Sequence, residues 1–382
     1  MEKIRIGDAC DILNGFAFKS DKYVEGGIRV IRIANVQKGY IEDDAPVFYP
    51  ADYAGLEKYM LEEGDLLMSL TGNVGRVGIL QKEMLPAALN QRVACLRLKT
   101  ECITKGFLFH VLNSVFFEQQ CVYTSNGVAQ KNMSTEWLKD YEIPLYPIKE
   151  QLKITEVLDR IRCVINLRNV ELRRLDDLIK ARFVELFGIP LDESKANMRF
   201  TDCVEFNPKK SEVKDMQNVE VSFIPMECVG VDGSFNIREN GPVSNYYKGY
   251  TYFRDGDVLL AKITPCFENG KAAIAEGCKN GIGFGTTEFH VARPKAGVSN
   301  SYWIKYLLKN DSVHDLATIN MTGSAGQKRV QTSFFEKLII FCPPIQLQNQ
   351  FADFVRQVDK SKLMFQKLHQ KLNILQQKAG DI

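Results

Sequence analysis

Residues 124–154 read TSNGVAQKNMSTEWLKDYEIPLYPIKEQLKI, and residues 321–351 read MTGSAGQKRVQTSFFEKLIIFCPPIQLQNQF. Set side by side without a gap, at an offset of 197 residues, the two share a skeleton. Gln130-Lys131 falls on Gln327-Lys328, Thr135 on Thr332, Trp137 on Phe334 and Ile143 on Ile340. Pro147-Ile148 falls on Pro344-Ile345, and Gln151 on Gln348. The likeness continues upstream with small gaps. Glu63-Gly64-Asp65-Leu66-Leu67-Met68 matches Asp255-Gly256-Asp257-Val258-Leu259-Leu260, and the stretch from Ile4 to Asp11 matches that from Met198 to Glu205. A unit of about 194–197 residues is therefore present twice. Solenoid repeats run to about 20–50 residues, so this period describes two copies of a whole domain and its helix.

Each copy opens with a mixed segment. Arg29–Ile33, Val93–Leu98 and Asp257–Ile263 have strand composition, and Gly26-Gly27, Gly72-Asn73, Asp232-Gly233 and Asn269-Gly270 punctuate them as turns. Helices are predicted near Phe107–Gln120 and Ser301–Ala317. The pattern is α+β, not a regular βαβ alternation. Each copy then closes on a long helix. From about Lys149 to Phe187 there is no Gly or Pro, and Leu158, Ile165, Leu172, Ile179 and Leu186 recur every seven residues. After Pro344, Phe351, Val358, Phe365 and Leu372 do the same. Sustained heptads predict a seam, and two such helices in one chain predict an intramolecular antiparallel coiled coil. The alternative is that each helix packs separately on its own domain.

Composition sets limits on function. Charged residues make up 25% and hydrophobic residues 45% of the 382, with a net charge of +2. Residues 1–147 carry 16 Lys+Arg against 19 Asp+Glu, and no segment is strongly basic, so overall charge offers no support for nucleic-acid binding. No run approaches the roughly 20 apolar residues of a membrane helix, and the opening residues lack a secretory signal; a cytoplasmic location without a membrane partner is expected. Ten cysteines are scattered with no Cys-x-x-Cys pair, which reads as buried thiols in a reducing compartment and not as a zinc site. Enzyme signatures are lacking too. There is no phosphate-binding Gly-x-x-x-x-Gly-Lys-Ser/Thr loop, Asn207-Pro208 lacks the Pro-aromatic pair of an adenine methyltransferase, and the four histidines form no nucleophile or metal grouping.

The order globular domain, long helix, similar globular domain, similar long helix resembles the specificity subunit of type I restriction–modification systems. Local motifs strengthen the resemblance: Gly15-Phe16-Ala17-Phe18-Lys19-Ser20, Gly256–Pro265 followed by Glu268-Asn269-Gly270-Lys271, and the twice-used Gln-Lys then Pro-x-x-x-Gln. Asn90-Gln91-Arg92 and Thr286-Thr287-Glu288-Phe289 look like two variants of one position. The resemblance implies a first target-recognition domain at 1–147, a helix at 148–188, a second recognition domain at 189–344 and a second helix at 345–382. It implies two similar domains with twisted β-sheets, each reading half of a split double-stranded DNA site, with the helices setting the spacing. It also implies two modification (methyltransferase) subunits and restriction/translocase subunits as partners. This chain itself would be non-catalytic and bind no cofactor, S-adenosylmethionine, ATP and magnesium belonging to the partners. The alternatives left open are a coiled-coil adaptor for proteins only and a nuclease in its own right.

Phosphate contacts need Lys, Arg or small donors on loops, and base readout needs Arg, Asn, Gln or Glu reaching a groove. The candidates in the first copy are Lys19, Arg32, Asn35, Asn73, Arg76, Asn90, Gln91, Arg92, Gln130, Lys131 and Asn132. Those in the second are Lys262, Thr264, Lys271, Thr287, Glu288, Gln327, Lys328 and Arg329. For each, internal hydrogen bonding or plain solvation is the competing reading.

Overall fold

The computed structural model describes residues 2–124, 132–192, 194–324 and 326–380, with 366–380 as helix backbone. The chain divides into two compact units, Met1–Asn169 with Gln366–Ile382, and Val170–Phe365.

The centre of the first unit is an antiparallel four-stranded sheet in the order Cys10–Asn14, Val93–Leu98, Leu66–Ser69, Val77–Ile79. Its two middle strands are buried on both faces, and alternate side chains serve two different cores. Leu66, Met68, Ala94 and Leu96 point into one, with Phe107, Leu108 and Phe117 from the helices Lys105–Leu112 and Val115–Thr124. Leu67, Val93 and Cys95 point into the other, with Ile31, Ile41 and Leu89. The period of two in a strand makes this division possible. A small mixed sheet, in which Ile28–Ile31 pairs in parallel with Ala87–Leu89, flanks the second core.

The second unit repeats the plan. Its antiparallel sheet runs Val204–Phe206, Phe289–Pro294, Val258–Ala261, Ala272–Ile274. Val258 and Leu260 face one core, Leu259 and Ala261 another. The parallel pair is here Glu220–Ile224 with Ile282–Gly285. In both units a two-stranded ladder ties the end of the globular domain to its beginning, Lys3–Arg5 on Glu142–Pro144 and Met198–Arg199 on Ile339–Ile340.

Where one helix was predicted in each copy, two are found: Lys105–Leu112 and Val115–Thr124, then Ser301–Leu308 and Asp311–Ile319. Polar residues cause the break. Ser114 Oγ accepts from the Phe117 N–H, and the Asn310 side chain caps the Ser312 N–H. The long helices span Ile148–Phe187 and Ile345–Gly380. Gln151 and Gln348 hold their starts with the same bonds. Gln151 Oε1 accepts from the Thr104 N–H at 2.8 Å and its Nε2 donates to the Cys102 and Tyr146 carbonyls. Gln348 Oε1 accepts from the Asn300 N–H at 2.9 Å and its Nε2 donates to the Val298 and Pro343 carbonyls. Both are fully buried, so all three bonds replace water that the amide has lost.

Within the second unit, the last turns of the first long helix run antiparallel to the first turns of the second. Phe187 and Phe183 meet Phe351, Arg182 lies over Phe354, and Asp176 pairs with Lys362. Of the predicted seam, Leu158, Ile165, Ile179, Phe351 and Val358 are buried, while Leu172, Leu186 and Phe365 are half-buried. The Leu372 side chain lies outside the described residues. At this end Phe183 and Phe187 are buried beside the heptad line, and Leu186 packs against the same core as Ile179. A helix lying on a globular core follows its own 3.6-residue period, whereas one wrapped on a single partner follows 3.5.

Candidate nucleic-acid interface

Backbone bonds superimpose the tips of the two sheets residue on residue. In the first unit the Leu70 N–H donates to the Arg92 carbonyl at 3.0 Å, and the Leu70 carbonyl accepts from Met133 at 2.8 Å. In the second, the Lys262 N–H donates to the Glu288 carbonyl at 2.9 Å, and the Lys262 carbonyl accepts from Val330 at 2.9 Å. The bridge Thr71 to Asn132 has its counterpart in Ile263 to Arg329. Asn90 Oδ1 accepts from the Arg92 N–H, as Thr286 Oγ1 accepts from the Glu288 N–H. Leu70, Arg92 and Asn132 thus occupy the places of Lys262, Glu288 and Arg329.

Beneath these tips the frame is retained. Arg97 grips Asp65 at 2.9 and 2.7 Å, and Arg293 grips Asp257 at 2.9 and 3.0 Å, each through two parallel N–H···O bonds. The aspartates stood out in the sequence, but their arginine partners did not. The signal was there: Arg97 and Arg293 are 196 residues apart, as are Arg92 and Glu288.

The structure sorts the candidates by what their side chains already hold. Asn35 is committed to bonds within the first unit. It is 4% exposed, its Nδ2 donates to the Glu42 carbonyl and to Asp43, and its Oδ1 accepts from the Arg32 N–H. Arg32 donates to the Ala45 carbonyl and Arg76 to Gln37; both secure neighbouring loops. Thr264 donates to Glu268, and Lys271 to the Met226 carbonyl at 3.3 Å. Gln130 and Lys131 lie outside the described residues.

The rest gather at the tips. Lys19, Asn73, Gln91, Arg92 and Asn132 are exposed, and Asn90 is half-buried. The Gln91 N–H donates to the Phe16 carbonyl, which lays the turn carrying Lys19 against residues 89–91. Gly15 is needed there, since a Cβ would fall 2.2 Å from the Asn90 carbonyl carbon. In the second unit Thr287, Gln327 and Lys328 are exposed. Arg329 closes a hairpin by exchanging two backbone bonds with Thr322, and its guanidinium meets Glu288 at 2.7–3.2 Å. Arg329 holds the Glu288 carboxyl below its usual range, and burial pushes the Lys262 ammonium down.

A cavity of about 260 Å³ beside Lys262 is lined by Asn207, Lys210, Tyr252 and His290 among others. Asn207 adopts a left-handed backbone (φ 53°) so that its side chain can bond the Val291 N–H and His290. His290 Nε2 donates to the Val330 carbonyl at 2.9 Å, and burial pushes its pKa down to about 4. The unfolded chain takes up this proton near pH 6.5, the folded one only near 4. The contribution is therefore complete above pH 6.5 and lost as pH falls, by about 3 kcal/mol in all. Urea titrations at pH 7 and pH 5 should show His290→Gln losing about 2 kcal/mol less over this interval than the parent.

A family model described as the type I restriction modification DNA specificity domain matches residues 1–175 and again 201–376. The specificity subunit of the Escherichia coli type I restriction enzyme EcoAI is 44% identical over 183 residues, 45% of this chain and 30% of that protein. That of EcoEI, also from Escherichia coli, is 45% identical over 169 residues, 43% and 27%. That of MjaVIII from Methanocaldococcus jannaschii is 31% identical over 188 residues, 47% and 43%. The matches thus span less than half the length of each of these relatives. Among solved structures, the type I restriction–modification S subunit from M. genitalium has a TM-score of 0.53 at 14% identity, covering 99% of this chain and 94% of that one. A chain from a type I R-M system studied for complex assembly and conformational transition also scores 0.53, at 16% identity, covering 100% and 96%. These two likenesses are of fold.

Proposed function

Because the chain belongs to the type I restriction–modification DNA specificity family, we propose that it selects a two-part DNA site, one half per repeat, for catalytic subunits that it carries. One observation supports this above the others: an identical frame, the Asp–Arg grip and the glutamine clamp, presents different residues at its tip in each repeat. A divided target needs that combination, the same fold on the same backbone twice and a different hydrogen-bonding edge each time. On this reading the chain is non-catalytic. Two modification subunits use S-adenosylmethionine to methylate adenine, and restriction subunits bring ATP- and magnesium-dependent translocation and cleavage. A 40-residue helix measures about 60 Å, enough to hold half-sites one DNA turn apart, roughly 34 Å.

The test is to express the chain with its modification subunit and map methyladenine across the host DNA. A split motif with two unrelated halves and a fixed gap is expected, and exchanging residues 1–147 for those of another specificity subunit should change one half only. A stable complex that leaves no split motif would refute the proposal.

A further inference from the structure

The Glu288–Arg329 pair is more specific than a surface ion pair. A guanidinium has five N–H groups. Nε lies 3.0 and 3.2 Å from the two Glu288 oxygens, Nη2 lies 2.7 Å from Oε1, and Nη1 lies 3.1 Å from the Gln327 carbonyl. The side-on edge is thereby filled. One N–H remains on each terminal nitrogen with no partner among the described residues. The arginine side chain is 36% exposed and that of Glu288 25%, so the pair is in part open to solvent. Glu288 is itself fixed, its carbonyl bonded by Lys262 and its N–H by Thr286.

We infer that Arg329 is the guanine reader of the second repeat, with Glu288 as the positioning residue that turns its free edge toward the DNA. Two parallel N–H groups match guanine O6 and N7, the acceptor pair that no other base presents in the major groove. A phosphate also accepts two such bonds, but two observations favour a base. First, the adjacent carboxylate cancels the arginine's charge; this suits a neutral acceptor pair and would repel a phosphate. Second, both repeats meet the same sugar–phosphate backbone, so a phosphate contact should be repeated. Instead, Asn132 takes the place of Arg329 and Arg92 that of Glu288, reversing the charge at one position and removing it at the other. A different set of hydrogen-bonding groups at the same place is what different bases require.

This inference rests on the two-part reading above, and the experiment separates the two. Once the wild-type complex with its modification subunit has yielded a split motif, each G·C pair in the half assigned to the second repeat is replaced in turn by A·T in synthetic duplexes, and binding by the complex is measured. At one guanine the wild-type complex should bind roughly 5- to 150-fold more weakly, and the Arg329→Ala complex should show no such preference there. Discrimination within the first half-site should be unchanged, which also reports that the variant is folded. Should the alanine chain fail to assemble, Arg329→Lys decides the matter, since it keeps the charge but loses the paired edge. A second half-site without guanine, or a variant that discriminates at every guanine as the parent does, overturns the inference. Absence of any split motif in the wild type would instead overturn the proposal on which it rests.

Discussion

Replacing Arg293 by methionine is expected to destabilise the second repeat by about 3–5 kcal/mol, the usual result of removing one partner of a buried ion pair. Asp257 is 1% exposed and directly precedes the central strand Val258–Ala261. Burial already keeps its pKa above the ordinary range, in spite of two bonds from Arg293 and one from the Arg254 N–H. Without the arginine the charge is left in a low-dielectric interior. Protonation relieves it, so the sign with pH is fixed: a carboxyl whose folded pKa is raised is tolerated below that pKa and becomes costly above it. The variant's deficit should therefore be smaller at pH 5 than at pH 7. Of the two tryptophans, Trp137 lies in the first unit and Trp303, fully buried, in the second. Denaturation followed by fluorescence in a Trp137→Phe background isolates the second repeat. A loss under 1 kcal/mol that does not vary with pH would contradict this account.

The second large effect is expected at Phe351. Its ring is fully buried, with the rings of Phe183, Phe187 and Tyr306 at 5.4–5.5 Å. Three helices meet on this one side chain: the end of the first long helix, the start of the second, and Ser301–Leu308. Phe351→Ala should cost about 3–5 kcal/mol, read by the same fluorescence assay. Leu363→Ala, half-exposed on the same helix, should stay within about 0.5 kcal/mol. Equal effects would mean that the aromatic junction does not anchor the helix.

These contrasts show what one-dimensional reading reaches. The duplication, both long helices and the central strands were visible because each rests on a pattern along the chain: a shared offset, a heptad, a run of β-branched and leucine residues. Residue roles at the tips were visible only in part. Lys19, Arg76 and Arg92 are alike as letters, yet Arg76 is tied to Gln37, 39 residues away, while Lys19 and Arg92 stand in solvent. Asn35 depends on Asp43, and Arg329 on a glutamate 41 residues upstream. Side-chain partners separated by such distances leave no periodic trace. Arg97 and Arg293 had one, because each pairs with an aspartate at matching places in both repeats.

The small ladders that join the start of each domain to its end carry a consequence for how such a protein changes over generations. With Ile4 opposite Ile143 and Met198 opposite Ile340, the chain arrives and departs through neighbouring strands, about 5 Å apart. A domain with both its joints at one edge can be lifted out of a gene and another spliced in without lengthening or bending what lies on either side. A single recombination event then brings in a finished domain that folds on the same two joints.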